Sequence, residues 1–265
     1  LPKQILYEKN ANELRPCASI TKVMTLVLVM EAIDSGKISL DDQVTASAHA
    51  ASMGGSDIWL KEGETMSVND LIKATVIMSA NDAAVVLAEH VYGTEDEFVK
   101  QMNIRAKQLG MNDTTFKNCN GLDEDGHLTT AHDVALMSAE LIKHEKIFDY
   151  TLTWMDYVRD GETQLVNTNK LIRSYKGITG LKTGTTSQAG SCISATAKRD
   201  NLSLVAVVLG CSTTDERFTS ASTLLDYGFA NFSFASLQMP ELGTVPVTNG
   251  IQGEVQAECT ATAEV

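Results

Sequence analysis

The chain has 265 residues, enough for one large domain or for one domain with a small companion. A formal net charge of −13 and a pI of about 4.8 argue against nucleic acid and anionic membrane surfaces as direct partners. The five cysteines (Cys17, Cys119, Cys192, Cys211, Cys259) stand apart without a CxxC pair, so no zinc framework is expected.

The chain opens on Leu1-Pro2 without a basic or apolar leader and reads as a trimmed piece of something longer. Residues 4–8 (QILYE) have the short apolar character of a strand, and 10–12 reads as a turn. The stretch that organises the chain is 18–33, ASITKVMTLVLVMEAI. It predicts a helix buried on all sides and ended by Gly36 in a left-handed conformation. It is well short of the roughly 20 apolar residues that span a bilayer. Residues 38–60 predict a loop-rich connection around Gly54-Gly55. Ser67 and Asp70 have cap spacing ahead of a helix that reaches Ser79-Ala80-Asn81, and a second apolar helix follows over 83–91. Thr94 with Glu97 marks another capping box, whose helix closes at Gly110. Residues 118–127 form a Gly- and Asp-rich loop in which Asp123-Glu124-Asp125 reads as a solvated turn. Thr130 with Asp133 caps a helix running to about Lys143.

The pattern then changes. Residues 154–158 and 163–166 predict short strands, and 192–198 with 202–209 predict a hairpin turning at Arg199-Asp200-Asn201. Residues 214–227 predict a last amphipathic helix. From Leu237 onward the chain is punctuated by Pro and Gly and rich in Thr and Val. We therefore expect a main domain over 1–236 and the start of a second, β-rich domain over 237–265, cut short. Strands at both ends with helices between them predict an α+β fold, an antiparallel sheet flanked by helices.

A hydroxyl and an amine at the start of a buried helix need a reason to be there. Ser19 and Lys22 lie at i and i+3, on one helical face. An amine in a dry pocket sheds its charge and can then act as a base toward serine. Two further stretches offer partners. Ser79-Ala80-Asn81 falls at a break between helices, and Lys182-Thr183-Gly184 lies ahead of the hairpin, where Gly184 lets a substrate backbone approach a strand edge. No other serine in the chain has lysine three residues on. His127, His132 and Asp133 lack an HExxH or an i, i+4 histidine pair, so neither a metal nor another cofactor is expected.

The set SITK, SAN and KTG resembles that of the penicillin-recognising serine enzymes. The flanking stretches ILYEKNANELRPCASITKVMT, WLKEGETMSVNDLIKATVIMSANDAAVVLAEHV and GITGLKTGTTSQAGSCISATAKRDNLSLVAVVLG resemble the low-molecular-mass penicillin-binding proteins, serine-type D-alanyl-D-alanine carboxypeptidases. The similarity runs over roughly 4–230; Cys17 departs from it, since proline is common just before the nucleophile. The resemblance implies a β-lactamase/transpeptidase-like domain followed by a β-rich one. It implies Ser19 as nucleophile toward the penultimate D-alanine, with Lys22 as its base, kept neutral by burial and by the nearby Lys182 ammonium. Ser79 would pass a proton to the departing amine, and Asn81 would hold the substrate backbone. Lys182 would face the terminal carboxylate with the Thr183 and Thr185 hydroxyls beside it. Backbone N–H groups of Ser19 and Thr185 would form the oxyanion hole, and Arg217 would help hold the carboxylate.

The implied partners are a peptidoglycan pentapeptide ending in D-Ala-D-Ala and, as covalent inhibitors, β-lactam antibiotics. The implied location is the outer face of the bacterial cytoplasmic membrane or the wall, with membrane contact only through a segment absent from this chain. Two other readings stay open. A serine β-lactamase would need a deacylating glutamate in an ExxLN stretch, and the chain has no Leu-Asn dipeptide. A non-catalytic β-lactam sensor domain would acylate without turning over peptide.

Overall fold

Ala18–Thr21 forms one 3-10 turn that runs directly into helix α1, Lys22–Asp34. Ten of the 13 residues of α1 are buried, so a helix with no polar face has neighbours all round. Gly36, at φ 73°, ends it in the left-handed region as its sequence predicts. The computed structural model describes residues 4–233, 243–248, 250, 251 and 253–256.

After α1, strand β1 (Gln43–Thr45) leads to the short helix α2 (Ala48–Ala51), and β2 (Thr65–Ser67) returns antiparallel to β1. Helix α3 (Val68–Lys73) starts on Ser67, whose hydroxyl accepts from Asp70 N. It continues as a π-turn, Ala74–Met78, and stops at Ser79. Helices α4 (Asn81–Tyr92), α5 (Glu95–Gln108) and α6 (Ala131–Leu141) follow. Thr94 and Thr130 cap the last two, accepting from Glu97 N and Asp133 N. A short helix α7 (Phe148–Thr151) precedes the antiparallel pair β3 (Met155–Val158) and β4 (Thr163–Val166), and α8 (Leu171–Ser174) leads to the main sheet.

That sheet is antiparallel, in the order β5 (Ile178–Thr186), β6 (Gly190–Arg199), β7 (Leu202–Cys211), and is followed by α9 (Thr214–Asn231). On one face Phe218, Ala221 and Leu225 of α9 pack against Ile193, Ala195 and Leu204. The other face meets α6, where the Ser138 and Ser194 hydroxyls lie 2.7 Å apart, and α6 in turn packs on α1. Helices thus cover both faces, the α+β arrangement expected. Strand β5 is an edge strand: β6 pairs with one side, and the Ala18–Thr21 turn packs against it. A last antiparallel pair joins β8 (Thr244–Pro246) to β9 (Glu254–Gln256).

The sequence reading needs four corrections. Residues 4–8 form no strand: Leu6 packs on the cluster under α9 and the Tyr7 ring meets Tyr227 edge-on, but no neighbouring strand supplies a ladder. The β1–β2 pair was not expected, because three residues per strand are too few to show a period of two. The last helix runs to Asn231, four residues past the expected end. Asp123 is exposed but tied down, accepting from Thr186 Oγ1 at 2.6 Å and from Ser187 Oγ at 3.4 Å. The boundary placed between 236 and 237, the first three residues and Cys259 lie outside the described residues.

Candidate active site

Ser19 sits in the 3-10 turn rather than in α1 itself, and the residue before it, Ala18, is held at φ 50°. The first amides of such a turn have no carbonyl partner within it, which leaves the Ser19 N–H available. Lys22 opens α1 and is fully buried. Its Nζ lies 3.0 Å from Ser19 Oγ, 2.5 Å from Asn81 Oδ1 and 2.7 Å from Asn120 O. Burial pushes the Lys22 amine down to about 7, against the pull of the Asp57 and Asp82 carboxylates.

The second stretch sits where α3 gives way to α4. The π-turn ends at Ser79, which takes φ 66°, a strained conformation for a residue with a side chain. Ser79 is buried, and its hydroxyl has no hydrogen-bond partner among the described residues. Asn81 is fixed at both ends of its amide: Oδ1 accepts from Lys22, and Nδ2 donates to Gly54 O at 2.7 Å. The neighbouring Asp82 accepts from the amides of Ile58 and Leu60, which ties residues 54–60 along this corner.

The third stretch lies on β5. Gly184 lies directly against the turn that carries Ser19. A Cβ on it would lie 2.8 Å from Cys17 O and 2.9 Å from Ser19 N, so its missing side chain admits the Ser19 turn itself. Gly121 acts in the same way from the opposite loop: at φ 88°, a Cβ there would lie 2.0 Å from Ala18 O. Lys182 is buried, with one hydrogen bond among the described residues, from Nζ to Thr183 O at 3.1 Å. Burial and the positive charges of Lys22 and Arg217 hold its amine well below the usual lysine range. Burial therefore leads in depressing Lys22, and the repulsion between the two lysines bears on Lys182. The Thr183 hydroxyl donates to Thr168 Oγ1 at 2.6 Å, which leaves its oxygen able to accept. Thr185 is exposed; its hydroxyl donates to Gly184 O and accepts from Arg217 Nη1, each at 2.8 Å. Arg217 is buried and also donates to Gly184 O and Cys192 O; its Nε has no partner among the described residues.

Sequence reasoning missed Asn120, whose carbonyl is the third partner of Lys22, and the paired roles of Asp57 and Asp82. Asn120 acts through its backbone, which no residue-type signal reports. His127 joins the site's support: its Nδ1 accepts from Lys117 N, so Nε2 carries the proton donated to Thr21 Oγ1 at 2.8 Å. Among the described residues no group of His, Cys, Asp and Glu side chains could hold a metal ion.

Residues 2–213 match the profile of the family described as D-alanyl-D-alanine carboxypeptidase. The D-alanyl-D-alanine carboxypeptidase DacF of Bacillus subtilis is 48% identical over 232 residues, 86% of this chain and 60% of that protein. Penicillin-binding protein 5 of Haemophilus influenzae superposes with a TM-score of 0.88 at 30% identity, covering 99% of this chain and 78% of that one. Penicillin-binding protein D2 of Listeria monocytogenes, solved with ampicillin bound, gives 0.77 at 37% identity, covering 84% and 91%. The chain spans about 60% of the length of the curated relatives it matches.

Proposed function

Because the chain belongs to the D-alanyl-D-alanine carboxypeptidase family, we propose that it is a serine-type peptidase that removes the terminal D-Ala from peptidoglycan stem peptides. The reaction runs through an acyl-enzyme on Ser19. The observation that carries this reading is the set of partners around Lys22 Nζ. Two of them, Asn81 Oδ1 and Asn120 O, can only accept, so they take both N–H bonds of the neutral amine. Its lone pair is then left for the third partner, the Ser19 hydroxyl.

Ser19 Oγ attacks the carbonyl carbon of the penultimate D-alanine as its proton passes to Lys22 Nζ. The oxyanion forms against the N–H groups of Ser19 and Thr185; one such donor is worth about 2.7–4 kcal/mol of barrier. The C–N bond then breaks, and the free hydroxyl of Ser79 protonates the departing amine and is resupplied from Lys22. Water hydrolyses the ester and restores Ser19. At the other end of the cleft Lys182 and Arg217 meet the terminal carboxylate, which offsets the repulsion that depresses Lys182. Asn81 holds Lys22 and the substrate backbone, and Thr185 presents its hydroxyl beside Arg217.

A β-lactam enters the same path, but its amine stays tethered after ring opening, so the acyl-enzyme persists. The substrate lies outside the cytoplasm, which puts the enzyme on the outer face of the membrane or in the wall. No helix among the described residues is long and apolar enough to cross a membrane. The test is D-alanine release from a pentapeptide ending in D-Ala-D-Ala. Release supports the peptidase, whereas penicillin labelling without release would make the chain a sensor.

A further inference from the structure

Trp59 stands out on the surface beside this corner. Its side chain is 72% exposed, while its neighbours Ile58 and Leu60 are 0% and 4% exposed. It sits at φ 54°, a region that a bulky residue occupies only when its surroundings enforce it. Both flanks are clamped. The Asp82 carboxylate accepts from Ile58 N at 3.3 Å and Leu60 N at 2.9 Å, and Arg159 Nη1 donates to Ile58 O at 2.9 Å. Asp82 follows Asn81 directly, so the loop that carries the indole is tied to the start of the helix whose Asn81 contacts Lys22.

Next to the indole lies an open depression of about 640 Å³, lined by Ile58, Lys61, Glu62, Glu64 and Arg159. Arg159 gives Nε to Glu64 at 2.6 Å and Nη1 also to Thr163 at 3.0 Å, while its Nη2 has no partner among the described residues. We propose that Trp59 and Arg159 form a saccharide subsite that holds a pyranose ring of the peptidoglycan glycan strand. This rests on the peptidase reading for its choice of sugar.

The chemistry of the rim selects the ligand class. A pyranose offers a C–H face to stack on one aromatic ring and hydroxyls at its edge to meet a free guanidinium N–H and carboxylates. With Ile58 and Leu60 buried, one exposed apolar side chain is too small a patch to dock a protein. Glu62 and Glu64 offset Lys61 and Arg159, so the rim does not favour a phosphate. A clamped backbone lowers the ordering cost of binding.

The test uses the chain with Trp154→Phe, which leaves Trp59 as its one tryptophan, titrated with a β-1,4-linked N-acetylglucosamine tetramer. The expected result is a saturable shift in indole fluorescence. By calorimetry, Trp59→Ala weakens binding about tenfold and Trp59→Phe restores part of it. In turnover, Trp59→Ala raises KM about tenfold for a disaccharide pentapeptide and leaves kcat and the free pentapeptide unchanged. No binding of the tetramer at millimolar concentration, or an equal loss on both substrates, overturns the subsite. The titration needs no turnover. Saccharide binding without D-alanine release would therefore contradict the peptidase reading and leave the subsite standing.

Discussion

Asn81 Oδ1 lies 2.5 Å from Lys22 Nζ, closer than Ser19 Oγ at 3.0 Å, so the amine sits nearer the amide than the hydroxyl it is proposed to deprotonate. A neutral acceptor can hold a neutral amine; a carboxylate at that point would hold an ammonium. Asn81→Asp therefore raises the pKa of Lys22 by about one to three units. The rate of penicillin acylation, followed by stopped flow across pH, moves its midpoint to the alkaline side by the same amount. An unmoved midpoint would show that Lys22 is not the titrating base.

In the unaltered chain the sign follows from the depressed Lys22 amine. Only its unprotonated form accepts the Ser19 proton, and burial brings that form in at about pH 7 rather than in the usual lysine range. Acylation should rise about tenfold per pH unit below that point and level off above it. Lys22→Ala should lower the plateau by about 10²–10⁴-fold.

At Gly184 the strand lies directly against the turn that carries Ser19. In Gly184→Ala the new methyl would meet Cys17 O at 2.8 Å and Ser19 N at 2.9 Å. Overpacking of this kind costs about 1–3 kcal/mol of stability, visible as a lower melting temperature. Displacing the Ser19 amide should cost acylation a further factor of about 10²–10³.

Arg217 donates to Gly184 O, Thr185 Oγ1 and Cys192 O, which links the last helix to the end of β5. Arg217→Ala removes these charged bonds and one cation proposed to meet the substrate carboxylate. The peptide kcat/KM should fall about ten- to a hundredfold. A penicillin acylation rate reduced by much less would assign Arg217 to the peptide carboxylate rather than to the reacting centre.

The parts of this site that the sequence announces are those whose signal is local. Ser19 and Lys22 are three residues apart on an apolar run, the threonine caps at Thr94 and Thr130 carry their acidic partners at fixed offsets, and the β6–β7 hairpin shows β-rich runs around a turn. What stayed hidden depends on atoms that carry no residue-type signature. Asn120 enters through a backbone carbonyl, and the π-turn that makes the break at Ser79 leaves no mark in the apolar spacing. The close approach of Gly184 to the Ser19 turn is likewise not legible, because that turn lies 165 positions earlier in the chain. Residues 4–8 failed as a strand because strand formation needs a partner, which apolar character alone does not supply.

The central claim, that Ser19 is the nucleophile, is tested most directly by intact-protein mass spectrometry after mixing with benzylpenicillin, with the adduct mapped by peptide and followed over time. One adduct is expected, on Ser19, that persists for many minutes and is absent from a folded Ser19→Ala chain. An adduct on another residue, or no adduct with the drug left intact, would contradict it.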